Sequence, residues 1–161
     1  MSIGVGDRVP SGGFKVISER GPTDRTSAEI FSGRKVVLFA VPGAFTPTCH
    51  LKHLPDYLEN AQAILDKGID EICCVAVNDP FVMKAWGDAN QVDGRVTMLS
   101  DDNASFAKAL GLEFDGSGAG LGVRSKRYAM LVDDGVVKAL HIEEAPSTMD
   151  ASRAANILAS L

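Results

Sequence analysis

The sequence predicts an α/β fold on a mixed central sheet with helices on both faces, and three observations carry that prediction. Residues 35–41 and 72–77 are continuous apolar runs rich in β-branched residues, the pattern of strands buried on both faces. Each is followed by a segment with helix-start signals, so successive strands run parallel and are joined by right-handed crossovers. Farther on, residues 128–132 and 136–142 flank Asp134-Gly135, a hairpin turn that adds antiparallel strands.

Taken in order, residues 1–34 are rich in Gly, Pro, Ser and Thr, with short apolar pieces such as Phe14-Lys15-Val16-Ile17. They read as a short hairpin or extended arm, with a turn of helix near Ser27–Phe31. The strand 35–41 stops at Pro42-Gly43, and a loop rich in Pro and Thr leads into a helix over about 48–65. Pro55 falls inside that helix, where its missing N–H and its ring predict a kink. Gly68 closes the helix as a C-cap. After the strand 72–77, Asn78-Asp79-Pro80 supplies a capping side chain and an early-helix proline for a helix over 81–90. Residues 96–99 form a third strand, and Asp102 or Asn103 caps a helix ending at Gly111. A Gly-rich loop spans 115–122, the hairpin follows, and a last helix covers about 150–160. The order β-α-β-α-β-α-β-β-α behind an N-terminal arm is the thioredoxin-like plan, in a single domain over 1–161. A plan of this kind does not fix a function.

Composition narrows the function classes. The chain has 161 residues, 45% hydrophobic and 23% charged, which excludes wholesale disorder and allows one buried core. Sixteen Lys and Arg against 21 Asp and Glu give a net charge of −5. With no basic run, no cationic face is offered to nucleic acid. The longest apolar run, 36–41, is far short of the roughly 20 residues that cross a bilayer, so no membrane partner is expected. Met1-Ser2-Ile3-Gly4-Val5-Gly6-Asp7 has neither the basic start nor the apolar core of a secretory leader. Three cysteines, an odd number, argue against a disulfide scaffold and for a reducing, cytoplasmic location.

The chemistry-bearing segment is Val41-Pro42-Gly43-Ala44-Phe45-Thr46-Pro47-Thr48-Cys49-His50. It joins a buried strand to a helix, which puts Cys49 in the first helical turn. Free backbone N–H groups and the positive end of the helix dipole favour a thiolate there. Strand-to-helix loops at the carboxyl edge of a parallel sheet are also where α/β folds carry their sites. A lone Cys is equally a small buried hydrophobe. Two prolines and two hydroxyls in the same loop weight the reading toward a reactive thiol.

The string Pro42-Gly43-Ala44-Phe45-Thr46-Pro47-Thr48-Cys49 resembles the peroxidatic-cysteine motif of peroxiredoxins, in the form of the atypical type II, peroxiredoxin-5-like subgroup. Val77-Asn78-Asp79-Pro80-Phe81-Val82-Met83-Lys84-Ala85-Trp86, Arg124-Ser125-Lys126-Arg127-Tyr128 and Asp133-Asp134-Gly135-Val136-Val137-Lys138-Ala139 extend the resemblance over nearly the whole chain. The resemblance implies a thiol peroxidase acting on hydrogen peroxide and alkyl hydroperoxides, without metal, haem or flavin. Cys49 would attack the O–O bond and become a sulfenic acid. Thr46 would hydrogen-bond the thiolate and a peroxide oxygen, and Pro42 would shield the pocket from water. Arg127 would supply the cation that favours the thiolate and stabilises charge developing on oxygen; Arg124, three residues away, is the competing candidate. The family also suggests a homodimer packed through loops near the site, with glutathione, glutaredoxin or thioredoxin as electron donor.

Other features weigh less. Cys49 and His53 have i, i+4 spacing, and with His50 could suggest a metal, but further nearby ligands are lacking; helix packing or charge tuning suits His53 better. Gly116-Ser117-Gly118-Ala119-Gly120-Leu121-Gly122 follows no predicted strand and lacks a Gly-Lys-Ser/Thr ending, so it reads as a surface loop. Trp86, Phe81 and Met83 read as packing residues. Lys52 stands where a Cys-x-x-Cys oxidoreductase needs its second cysteine. A non-catalytic interaction domain remains the rival of another class.

Cys73 and Cys74 lie in an apolar strand, where inert thiols are the default. Some plant-type peroxiredoxins carry a second Cys where Cys74 falls, which makes it a possible resolving residue. Others place one near the last helix, but Ser147-Thr148-Met149-Asp150-Ala151-Ser152 holds none. Three residues of strand, at about 3.3 Å each, set Cys74 roughly 10 Å below the rim that carries Cys49. A disulfide needs Cα atoms within about 4.4–6.8 Å, so recycling by an external thiol is expected, with a thioredoxin-recycled route through Cys74 as the alternative.

Overall fold

A computed structural model describes residues 2–161. The elements follow the predicted order with additions: β1 (Gly13–Ser18), β2 (Gly21–Thr26), α1 (Ser27–Phe31), β3 (Lys35–Ala40), a π-helical turn (Cys49–His53), α2 (Leu54–Leu65), β4 (Glu71–Ala76) and α3 (Pro80–Ala89). Then come β5 (Thr97–Ser100), α4 (Ser105–Leu110), β6 (Glu113–Asp115), β7 (Val123–Ser125), β8 (Tyr128–Asp133), β9 (Val136–Ile142) and α5 (Ala154–Ala159). The main sheet has the order β2-β1-β5-β4-β3-β8-β9, so the N-terminal arm is a hairpin fixed to one sheet edge rather than a free extension. β3, β4 and β5 run parallel, and β8 pairs antiparallel to β3, which is the mixed sheet the pattern predicts.

Side-chain alternation on β3 and β4 divides the core in two. Val37, Phe39, Val41, Ile72, Cys74 and Ala76 pack with residues of α2, α3 and α5 on one face. Val36, Leu38, Ala40, Cys73 and Val75 pack with Phe14, Phe31 and Phe106 on the other. Cys73 and Cys74 therefore point to opposite faces of the sheet, and only Cys74 shares a face with Cys49. Away from Cys49, Glu71 gathers Arg25, Arg34 and Thr97 into one cluster that ties β2, the approach to β3, and β5 to β4. Burial opposes ionisation of Glu71, but those hydrogen bonds outweigh it and hold its pKa down to about 2.

Four local expectations need correction. The irregularity assigned to Pro55 lies one turn earlier, at Cys49–His53, where the Leu54 N–H donates to the Cys49 carbonyl five residues back. Widening the turn there makes room for a proline at the start of α2, whose ring would otherwise strike a carbonyl of the preceding turn. Asn103 caps α4 as expected, its Oδ1 accepting the Ser105 N–H at 3.1 Å, but the second cap is Asp101 rather than Asp102: its carboxylate accepts the Phe106 and Ala107 N–H groups. Ala104, at φ 60°, turns the chain so that the reach falls one residue earlier. The short strands β6 and β7 flank the Gly-rich loop. The last helix begins at Ala154 rather than near 150, because Asp150 and Ser152 donate instead to Glu143.

Candidate active site

β3 ends against the loop 41–48, and the Val41 N–H still bonds the Val75 carbonyl, so the loop departs from the carboxyl rim of the parallel strands. Asn78, at the rim of β4, accepts the Ala44 N–H at 2.9 Å and pins the loop. Gly43 sits under close approach: a Cβ there would lie 2.9 Å from Arg124 Nη1 and 3.0 Å from Thr46 Cγ2, so a larger residue would push both side chains aside. The helical turn that follows delivers Cys49, whose side chain is fully buried.

Arg127, at the start of β8, lies against it. Its Nη2 donates to Cys49 Sγ at 3.0 Å and to the Pro146 carbonyl at 2.9 Å, and its Nε donates to the same carbonyl at 3.2 Å. Nη1 donates to His53 Nδ1 at 2.8 Å. A guanidinium can only donate, so Nδ1 is the acceptor and the His53 proton sits on Nε2, which donates to the Ser152 carbonyl at 3.3 Å. Burial, and next the charge of Arg127, push the His53 pKa down to about 3, so the ring is neutral. Phe39 and Tyr57 stack at 4.1 Å and enclose that ring, and the Tyr57 hydroxyl donates to the Ser152 carbonyl at 2.8 Å.

Among the described residues no carboxylate forms an ion pair with Arg127. Two bonds to a carbonyl and one to a neutral imidazole orient it without cancelling its charge. A cation held dry against the sulfur stabilises negative charge that develops nearby, since the low dielectric strengthens the interaction. Both nitrogens of His53 are occupied, which removes it as a metal ligand. No group of three or more His, Cys, Asp or Glu among the described residues is gathered to hold a metal.

The remaining sequence candidates fall around this pair. Thr46 lies in the same loop, but its Oγ1 donates to the Gly43 carbonyl at 2.7 Å and so braces the loop. Its lone pairs stay free to accept. Pro42 is buried at the end of β3, and its carbonyl accepts Arg124 Nη1 at 3.2 Å. Arg124 also donates to the Leu121 carbonyl, so it binds the loop rather than the sulfur, and of the two arginines Arg127 is the one on Cys49. Cys74 is a free thiol level with Phe39 on the face Cys49 occupies. Burial, and then the charge of Cys49, push its thiol pKa well up, which makes it a poor nucleophile.

Sequence reasoning missed the Pro146 and Ser152 carbonyls, Tyr57 and Glu143. Only His53 carried a signal, its i+4 spacing from Cys49. His50, next in the chain, accepts the indole N–H of the fully buried Trp86 at 3.0 Å, which ties the first helical turn to α3.

A cation-paired thiol in a strand-to-helix turn of a thioredoxin-like sheet defines the class of thiol-dependent peroxidases. Comparison with known proteins agrees. A family model described as Redoxin matches residues 4–158. The chain is 52% identical over 151 residues to peroxiredoxin-2E-2, chloroplastic, of Oryza sativa subsp. japonica, covering 89% of this chain and 66% of that protein. It is 46% identical over 142 residues to peroxiredoxin-2B of Arabidopsis thaliana, covering 88% of each. Among solved structures, reduced Prx3 of Vibrio vulnificus in complex with hydrogen peroxide matches with a TM-score of 0.93 at 49% identity, covering 98% of each chain. Peroxiredoxin 5 of Alvinella pompejana matches with a TM-score of 0.85 at 36% identity, covering 98% and 97%. The chain belongs to the redoxin family and within it to the peroxiredoxins, consistent with the type II, peroxiredoxin-5-like subgroup.

Proposed function

We propose that this chain reduces hydrogen peroxide and alkyl hydroperoxides through Cys49 and is returned to its resting state by an external thiol, with glutathione and glutaredoxin preferred. The observation that carries the reading is the 3.0 Å contact between Arg127 Nη2 and Cys49 Sγ. The Cys49 thiolate attacks one peroxide oxygen. The O–O bond breaks, the sulfur is oxidised to sulfenic acid, and the departing oxygen takes up a proton to leave as water or alcohol. Arg127 stabilises the charge that develops on oxygen, the Thr46 hydroxyl accepts from and positions the peroxide, and Pro42 keeps water from the thiol.

A thiol of the reductant then attacks the sulfenic sulfur, releases water and forms a mixed disulfide. A second thiol frees Cys49 and carries the disulfide away. The burial of Cys74 within its strand supports external recycling over an internal disulfide, because reaching Cys49 would open packed core. The reading carries with it a single domain, a cytoplasmic, reducing location and a homodimer packed near the site.

Peroxide consumption with glutathione plus glutaredoxin, set against thioredoxin, tests it. Turnover with the first donor and none in the Cys49→Ser variant is expected. Equal turnover in that variant refutes the assignment, and turnover with thioredoxin alone reverses the donor preference.

A further inference from the structure

Glu143 lies just past the end of β9 and is 7% exposed. Its backbone N–H donates to the Arg127 carbonyl at 2.9 Å, which sets it beside the start of β8. Its carboxylate turns back to the loop that follows. Oε2 accepts from Ser152 N at 2.6 Å, Ser152 Oγ at 2.6 Å and Asp150 N at 2.9 Å, while Oε1 lies 3.2 Å from Thr148 Oγ1, whose single proton is shared with the Ala145 carbonyl at 2.9 Å. Burial opposes its ionisation, but the bonds from Ser152 and Asp150 outweigh that and hold the carboxyl below its usual range. Among the described residues no cation pairs with it, so the three bonds to Oε2 from Asp150 and Ser152, all within the loop, account for its place.

The loop 143–152 has no regular secondary structure, and Pro146 and Ser147 at its tip are exposed. Yet it supplies the carbonyls that hold the catalytic cation: Pro146 accepts twice from Arg127, and Ser152 accepts from His53, which in turn accepts from Arg127. The Tyr57 hydroxyl also holds the Ser152 carbonyl, and the Thr148 N–H and hydroxyl close a turn on the Ala145 carbonyl across the tip. The only carboxylate bridging its two limbs among the described residues is that of Glu143.

We propose that Glu143 is a positioning residue for the peroxidatic centre: it staples the loop 143–152 so that the Pro146 and Ser152 carbonyls hold Arg127 and His53 against Cys49. This rests on the reading of Cys49 as the reactive thiol. Glu143 touches neither sulfur nor substrate and acts through the pose of Arg127. Removing the carboxylate leaves three return-limb donors without their acceptor, frees the loop, and lowers the fraction of time that Nη2 spends on Cys49 Sγ.

The test is the rate of Cys49 alkylation by iodoacetamide against pH, read by intact-protein mass, alongside far-UV circular dichroism. In Glu143→Ala the rate at pH 7 falls about tenfold, the weight of one hydrogen bond to a charged group, and the profile moves to higher pH. Glu143→Gln keeps an oxygen toward Ser152 and an amide toward the Thr148 hydroxyl, so it recovers most of the rate. If the alanine variant does not fold, Glu143→Asp carries the test, its carboxylate one methylene short and its loss intermediate. A folded alanine variant with the wild-type profile, or a glutamine variant as impaired as the alanine one, overturns the proposal. Failure of the wild-type protein to consume peroxide would strike the peroxidase reading and leave the alkylation comparison standing.

Discussion

The guanidinium of Arg127 lies 3.0 Å from Cys49 Sγ across 78 positions of sequence, and its other partners are neutral. An ion pair with a carboxylate would have fixed it as firmly but consumed its charge. Carbonyls and a tautomer-fixed histidine orient it and leave that charge to the sulfur.

Arg127→Gln removes the cation and strands His53 Nδ1 and one carbonyl. Peroxide reduction falls at least about tenfold, since a hydrogen bond to a charged group is worth about 1.5–3 kcal/mol. Stopped-flow kinetics at pH 7 with stoichiometric enzyme reads this directly. Attack as fast as in the wild type would move the activating role to Arg124 or the helix terminus.

Thr46→Val deletes the hydroxyl that braces the loop on the Gly43 carbonyl. Stability drops by about 1 kcal/mol, the net worth of one such bond, and peroxide attack slows by more than that loss explains. Urea titration and stopped-flow rates on the same sample separate the two. Unchanged kinetics would confine Thr46 to a structural role.

His53 predicts the acid limb of stability. Its pKa is depressed to about 3 in the folded protein and lies near 6.5 in an unfolded chain. The unfolded state therefore binds the extra proton, and stability present above about pH 6.5 is lost as pH falls toward 3, by up to about 1.4 kcal/mol per pH unit. Urea midpoints between pH 7 and 4 fall more steeply in the wild type than in His53→Gln. Parallel slopes would show that other groups govern the acid transition.

Cys73→Ala and Cys74→Ala together test recycling. Alanine is chosen because both positions are fully buried, where a serine hydroxyl would be left unpaired. The double variant keeps most of its turnover with glutathione and glutaredoxin despite losing stability. Turnover lost in the Cys74 variant, with a Cys49–Cys74 disulfide in the oxidised wild type, would establish the two-cysteine route.

How much was legible follows from the kind of interaction. The apolar runs that became β3 and β4 announced buried strands, and Asp134-Gly135 announced the β8–β9 hairpin, because burial and turn chemistry are local. Three-residue strands such as β6 carry too little pattern to show. Pro55 was visible, but the π-turn that accommodates it depends on where helix and sheet must meet. Cys49 stood out by its place in a strand-to-helix loop, and Arg127 through a family motif. Their supports were hidden: Pro146 and Ser152 contribute backbone carbonyls, which any residue possesses, and Glu143 acts by bonds within a loop that no periodicity marks.

The most direct test of the account is to treat the reduced protein with one equivalent of hydrogen peroxide and locate the oxidation by peptide mass spectrometry with a sulfenic-acid trap. The account predicts the trap, or a glutathione adduct when glutathione is present, on Cys49, with Cys73 and Cys74 unmodified. Trapped oxidation on Cys73 or Cys74 while Cys49 stays reduced would contradict it.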